Sequence, residues 1–378
     1  MVQGILTALV IISLLVTGSL AVLIASHFDQ FGRLLKATLL VRTQGLQPVT
    51  VNQLIDGATE GIVGSLHDPY SVYLDPKHFQ ELNIQIRGTF GGIGVFVGQK
   101  EQNKLTVMAP PFKGTPAEAA GLKQGDVIIE IDGQDARSMD TDTAVSLMRG
   151  EPGTRVNLAI QRGEQVIRVT ITREKISIPT VQGRILEEAP KIAYVQIFQF
   201  NTNTEQELNK TLQELNNKGF KAIILDLRNN PGGDFSAAIK VAEYFVSKGP
   251  VVRVVARNGR EEVYEASGRN LKLPLVVLVN EGSASASEIV AGAIKDRQAG
   301  TLVGTKTFGK GLVQTVFPLP GEAGLKLTTA KYMTPNGHDI NQKGIEPDVK
   351  VELPPKSSRD VQLDRAIEIL KGQIQGAR

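Results

Sequence analysis

The run Asn280-Glu281-Gly282-Ser283-Ala284-Ser285-Ala286-Ser287-Glu288 follows five apolar residues, Leu275 to Val279, and precedes an apolar helical stretch. A strand, a tight turn and a helix in that order aim a serine hydroxyl at open space and put the unpaired backbone N–H groups of a helix N-terminus beside it. A serine so placed attacks a carbonyl carbon once a neighbouring base takes its proton. Three serines alternate here, Ser283, Ser285 and Ser287, and spacing alone does not choose among them. The base is restricted by composition: the C-terminal half holds one histidine, His338, in a Pro-Asn-Gly turn with Asp339 as its only adjacent acid. A Ser-His-Asp triad is therefore poorly supported. Lysine is the remaining candidate, because an ammonium withdrawn from water loses stabilisation, its pKa falls, and the neutral amine can accept a serine proton. Lys310, flanked by Gly309 and Gly311 with apolar residues nearby, fits that description.

Composition removes other chemistries. The chain has 378 residues, 41% hydrophobic, with 42 Lys and Arg against 39 Asp and Glu for a net charge of +3. This is ordinary globular balance, and the small surplus is not gathered into a basic run, so nucleic acid is not an expected partner. The absence of cysteine excludes thiolate nucleophiles, disulfides, zinc–thiolate sites and iron–sulfur clusters, and four scattered histidines leave little for a metal. No metal and no cofactor is expected.

The elements that must position the serine and the lysine are legible in outline. Residues 1–26 contain 22 consecutive uncharged residues, Gly4 to Ala25. At ~1.5 Å per residue they suffice to cross ~30 Å of hydrocarbon, so the segment reads as a membrane-anchor or signal helix. Arg33, Lys36 and Arg42 follow it and only Met-Val-Gln precedes it, an asymmetry that by itself would hold the body in the cytoplasm. Residues 43–82 read as a helical arm with an apolar stripe of Val51, Leu54, Ile55, Ala58, Ile62 and Leu66, able to lie on its own core or to pair with a second copy in a homodimer. Residues 84–173 read as short strands with glycine turns and a helix from Asp140 to Arg149. Residues 174–355 alternate buried strands with helices, the pattern of an α/β layer with a largely parallel sheet. Its first helix opens at Thr204 with Glu207 three later, which predicts a capping box. Residues 356–378 hold a final helix.

Two resemblances refine this outline. Gly91-Gly92-Ile93-Gly94-Val95, followed by Ala119-Ala120-Gly121-Leu122, Gly125-Asp126-Val127-Ile128 and Ile131-Asp132-Gly133, resembles a PDZ domain, a small β-barrel with helices. In such a loop glycines let successive N–H groups converge on a peptide's terminal carboxylate, and the adjoining strand edge pairs with its backbone. The resemblance assigns tail binding to Gly92, Ile93, Gly94 and Val95, and Arg87 just before the loop adds positive charge. The small-residue run ending in Glu288, then Asp296, then Thr307-Phe308-Gly309-Lys310-Gly311-Leu312-Val313-Gln314 resembles the carboxyl-terminal processing (tail-specific) proteases, serine peptidases with a Ser–Lys dyad. Asp226-Leu227-Arg228-Asn229-Asn230-Pro231-Gly232-Gly233 and Gly344-Ile345-Glu346-Pro347-Asp348-Val349 match as well, so that the resemblance spans roughly residues 50–375.

This resemblance implies Ser285 as nucleophile, Lys310 as general base and Gln314 as the residue orienting the lysine amine. It places the oxyanion donors at the backbone N–H of Gly233 and of Ala286 or Ser285 itself, and gives Asp296 either a catalytic or a helix-end role. It implies a crotonase-like mixed βα core with an inserted PDZ domain, and protein or peptide substrates with free, apolar C-termini cleaved through an acyl-enzyme. It also implies an extracytoplasmic body, opposite to the charge asymmetry; a start of translation upstream of Met1, supplying a basic n-region, would reconcile the two. The competing readings are a non-catalytic PDZ adaptor that holds tails without cutting them and a small-ester hydrolase, the latter disfavoured because a small ester offers no tail to hold.

Overall fold

The computed structural model describes residues 18, 28–100, 104–353 and 359–376. The apolar segment 4–25 lies, Gly18 apart, outside the described residues, and the anchor or signal reading falls there. Among the described residues no helix is long and apolar enough to cross a membrane. The chain divides into two compact units, one of the residues up to Asp75 with Val316–Leu327, the other of Pro76–Thr315 with Thr328–Arg378.

In the first unit the helices Phe28–Gln44 and Val51–Gly64 precede the strand Val72–Leu74, whose residues pair antiparallel with 324–326. Thr50 and Gln53 cap the second helix reciprocally: the Gln53 N–H donates to Thr50 Oγ1 (3.2 Å) and the Thr50 N–H to Gln53 Oε1 (2.9 Å). Of the anticipated stripe, Val51, Ile55, Ile62 and Leu66 are exposed, whereas Val63 is buried. The arm is also not helical throughout, because the strand Val72–Leu74 interrupts it. There the Tyr73 hydroxyl donates to Asp56 (2.6 Å), and that bond, reinforced by burial, pushes the phenol up to about 12.

The second unit carries the layered core. Its main sheet runs Val181–Leu186, Ala189–Ile197, Ala222–Asp226, Leu275–Val279, Thr301–Gly304, Val349–Lys350; the first pair is antiparallel and the others are parallel. Ala222–Asp226 and Leu275–Val279 are buried along their whole length, which is why Ala222 to Leu225 and Leu275 to Val279 read as unbroken apolar runs. Successive residues face opposite layers. Ile223, Leu225, Val277 and Val279 pack with the helices Thr204–Asn216, Phe235–Ala242 and Ala286–Asp296, while Ile224, Val276 and Leu278 pack on Ala366, Ile367 and Leu370 of the C-terminal helix Val361–Gly376. Asp226 and Arg228 fasten that helix: the guanidinium grips Asp226 (2.6 Å) and Asp360 (2.9 Å) and donates to Gln362. The capping-box expectation at Thr204 is corrected. Asn203 is the N-cap, and the Glu207 carboxylate accepts instead from the N–H groups of Thr180 (2.7 Å) and Val181 (3.2 Å), fastening the helix to the sheet's edge strand.

Within the same unit the strands Val97–Lys100, Lys104–Val107, Val127–Ile131, Arg155–Arg162 and Gln165–Thr172 form an antiparallel sheet with its own core of Leu105, Ile128, Ile131 and Leu158. A two-stranded ribbon, Thr89–Gly92 against Glu174–Ser177, carries the chain into and out of it.

Candidate active site

Ser285 is the residue before the helix Ala286–Asp296, at the end of the turn leaving Leu275–Val279. Its φ of 55° with ψ of −114° lies outside the regions comfortable for an L-residue, a strain of about 1–3 kcal/mol that persists only if the surroundings enforce it. The three alternating serines differ in what their hydroxyls do. Ser283 and Ser287 are fully buried; Ser283 Oγ donates to the Leu227 carbonyl (2.8 Å) and Ser287 Oγ to the Asn230 carbonyl (3.0 Å). Ser285 is half-exposed.

Glu288 organises the junction. It has no exposed surface, and its carboxylate collects four donors: the Thr307 hydroxyl (2.6 Å) and the Gly309 N–H (2.8 Å) on Oε1, the Lys310 N–H (2.8 Å) and the Ser285 N–H (3.0 Å) on Oε2. One oxygen thereby holds the main chain of the serine and of the lysine together. Buried carboxylates are tolerated when hydrogen-bonded in this way. On the carbonyl side, the buried Tyr332 hydroxyl is shared between the oxygens of Ser285 (3.0 Å) and Lys310. Burial, reinforced by the Glu288 charge, pushes the Tyr332 phenol well above its usual value, so it remains a donor. Neither role is legible in the local sequence, since apart from the Ser285 N–H, three residues from Glu288, the partners lie 19 to 47 residues away.

The glycine segment closes on the same place. Asn230, fully buried, donates to the Ile197 carbonyl (2.7 Å) and accepts from the Gly232 N–H (2.9 Å), while its own carbonyl accepts from the Ala284 N–H (3.0 Å). Gly232 approaches so closely that a Cβ there would stand 2.8 Å from Ser285 Cβ and 2.9 Å from the Ala286 nitrogen. At Gly233 a Cβ would meet the Phe200 carbonyl oxygen at 2.0 Å, and φ there is 135°. Phe200 bridges Gly233 through the Gly232 carbonyl and the Asp234 N–H, which turns the Gly233 N–H to the other side of the strand. Among the described residues the N–H groups of Gly233 and Ala286 have no partner, whereas that of Ser285 is taken by Glu288.

The remaining candidates are placed as follows. Lys310 is half-buried, in the loop leading to the strand Leu312–Pro318. Gln314, on that strand, points its amide at Thr328 Oγ1 (3.4 Å). Asp296 ends the helix that Ser285 begins, about 16 Å along an 11-residue helix at ~1.5 Å per residue. There it accepts from the Asn336 N–H (2.8 Å) and faces His338 (3.7 Å). In the small antiparallel domain, Gly92 ends the ribbon strand opposite Glu174, the Ile93 side chain is buried, and the N–H groups of Gly94 and Val95 have no partner among the described residues. The strand Val97–Lys100 is an edge of that sheet with the helix Thr141–Met148 beside it. Among the described residues no group of His, Asp and Glu could hold a metal ion.

A serine held at a strained strand-to-helix turn, with the main chain of Lys310 tied to it through one carboxylate, and an edge-strand domain in the same unit are features that a serine peptidase with a PDZ domain would use. Sequence comparison agrees. The profile of Peptidase family S41 matches residues 191–351, that of a PDZ domain 112–162, and that of the N-terminal domain of the activating protease CtpB 21–78. A carboxyl-terminal-processing protease of Synechocystis sp. is 40% identical over 329 residues, covering 84% of this chain and 77% of its own length. The carboxy-terminal processing protease CtpA of Bacillus subtilis is 39% identical over 350 residues, covering 91% and 74%. Among solved structures, a photosystem II D1 C-terminal processing protease superposes with a TM-score of 0.51 at 32% identity, covering 88% of this chain and 90% of that one. The chain belongs to the carboxyl-terminal processing protease family of S41 serine peptidases.

Proposed function

We propose that this serine endopeptidase holds the free C-terminus of an unfolded protein in its PDZ loop and cleaves the chain with Ser285 and Lys310. Ser285 Oγ attacks the scissile carbonyl as its proton passes to the neutral Lys310 amine, which Gln314 orients. The N–H groups of Gly233 and Ala286 receive the oxyanion. The ammonium then protonates the leaving amine, and water, deprotonated by the same amine, hydrolyses the acyl-serine. The observation that carries this reading is the fate of the three hydroxyls: those of Ser283 and Ser287 are spent on buried carbonyls, and the half-exposed Ser285 stands beside two backbone N–H groups that have no partner among the described residues. The PDZ loop Gly92, Ile93, Gly94 and Val95 supplies the N–H groups for the tail carboxylate, and an apolar last residue suits the apolar surroundings of Ile93. Segment 4–25 would anchor or export the chain and put the body outside the cytoplasm, and the exposed Val51, Ile55 and Ile62 would suit pairing of two arms in a homodimer.

The deciding experiment is digestion of an unstructured protein ending in apolar residues by the chain lacking its first 26 residues, beside Ser285→Ala, with products identified by mass. Cleavage by the first and none by the second is expected; equal cleavage by both would overturn the assignment of the nucleophile. Accessibility of the body to added protease in intact cells tests the location.

A further inference from the structure

We propose that Tyr332 is a positioning residue of the dyad: its hydroxyl fixes the Ser285–Ala286 peptide plane, aims the Ala286 N–H at the oxyanion, and ties that plane to the main chain of Lys310. The inference rests on the reading of Ser285 and Lys310 as nucleophile and base. Tyr332 stands in the strand Gly324–Met333 with its side chain buried, and its own N–H donates to the Gly311 carbonyl (2.9 Å). Tyr332 therefore reaches the residue after the lysine through its main chain, and the lysine carbonyl and the serine carbonyl, the latter at 3.0 Å, through its hydroxyl.

A peptide group is planar and trans, so its carbonyl and its N–H point in opposite directions. A donor that holds the Ser285 carbonyl consequently holds the Ala286 N–H facing the other way, and Gly232 stands against that same nitrogen. Ser285 needs such a hold, because its φ of 55° and ψ of −114° would otherwise relax. The same carbonyl also accepts from the N–H groups of Glu288 (2.8 Å) and Ile289 (3.0 Å), but these belong to the helix that Ser285 starts and travel with it. Tyr332 is the contact that references the plane to the strand and to Lys310. Glu288 clamps the two N–H groups and Tyr332 the two carbonyls, so each residue of the dyad is held on both sides.

The test compares full-length wild type, Tyr332→Phe and a variant with 4-aminophenylalanine at 332, which restores a donor at the para position. The substrate is a fluorogenic peptide with a free apolar C-terminus, rates are expressed per site titrated with a fluorophosphonate, and a peptide boronate reports affinity for a tetrahedral adduct. Tyr332→Phe is expected to lose about 10- to 100-fold in kcat and a similar factor in boronate affinity, with KM within about threefold, a smaller loss than deletion of an oxyanion donor itself. The amino variant is expected to recover most of the rate. Wild-type kcat per titrated site in Tyr332→Phe would overturn the proposal. So would an amino variant with wild-type Tm that stays as slow as Phe, and this second variant decides if Phe does not fold. Cleavage surviving in Ser285→Ala would instead overturn the dyad reading, whereas loss there with full rate in Tyr332→Phe would remove only the role of Tyr332.

Discussion

The serine–lysine junction and the PDZ loop are both built from glycines and backbone N–H groups, yet they are held in opposite ways. At the junction Glu288 and Tyr332 grip the N–H and carbonyl groups of Ser285 and Lys310, and the N–H groups of Gly233 and Ala286 have no partner among the described residues. In the loop the carbonyls of Ile93 and Gly94 are taken by Ala117 and Phe112, but the N–H groups of Gly94 and Val95 have no partner among the described residues. Under the proposed function the junction would be prepared in advance by buried bonds that no substrate needs to supply, whereas the loop would be completed by its ligand. Preorganisation of this kind is where electrostatic catalysis draws most of its effect. A binding loop needs to fix only one end of a chain.

Glu288→Gln should break the comparison on its strongest side. An amide of the same size accepts at one position and donates at the other, so it cannot serve four donors. Two of the four bonds to Thr307, Gly309, Lys310 and Ser285 would be lost or turned into donor–donor contacts. A buried donor left unsatisfied costs about 1–3 kcal/mol, more beside a charged group, so a loss of about 100-fold or more in kcat together with a lowered Tm is expected. Calorimetry and single-turnover cleavage check it. An unchanged rate would mean that the carboxylate serves the fold and not the dyad.

Blocking the loop should cost less. A peptide ending in a carboxamide removes the negative charge that the Gly94 and Val95 N–H groups would receive, while the scissile bond is untouched. The charge-assisted bonds that are lost contribute about 1.5–3 kcal/mol, which corresponds to a 10- to 100-fold fall in kcat/KM. Paired kinetics on free-acid and amidated peptides measure this, and equal rates would show that the tail is not what the loop reads.

The contrast also explains what the sequence could reveal. Ser285, Lys310, Gly232 and Gly233 could be proposed from the sequence because their chemistry requires a particular residue type, and the apolar runs at 222–225 and 275–279 were legible because both faces of those strands are buried. Tyr332 was not legible: a tyrosine in a strand has an ordinary packing reason, and only the fold brings its hydroxyl to residues 285 and 310. The strands Leu312–Pro318 and Gly324–Met333 were missed because they are half-buried, with neither a continuous apolar run nor clean alternation. At Glu207 the local rule lost to a tertiary one: the side chain found donors on Thr180 and Val181 in place of its own N-cap. Among the three serines spacing alone made no choice and the resemblance pointed to Ser285, a reading with which the buried partners of Ser283 and Ser287 agree.

The smallest effect on catalysis is expected from Asp126, which steadies the domain bearing the loop. Burial alone would push its carboxyl up, but the Arg162 guanidinium (2.7 Å) and the Lys123 N–H (2.7 Å) outweigh it and hold the group below the usual carboxylate value. A carboxyl whose folded pKa lies below its unfolded one contributes stability that is complete above the unfolded value and is lost as pH falls through the folded value. The pair should therefore contribute in full at neutral pH and down to about pH 5, and fade below about pH 4, the ordinary aspartate range. Asp126→Asn should lower the melting temperature of the PDZ transition at pH 7 and flatten its decline in acid. Cleavage of short peptides at 25 °C should stay within about twofold of wild type, since substitutions away from a site seldom reach it while the fold persists. Thermal unfolding at a series of pH values measures the first effect, and an acid limb as steep in the variant as in wild type would mean that another carboxylate sets it.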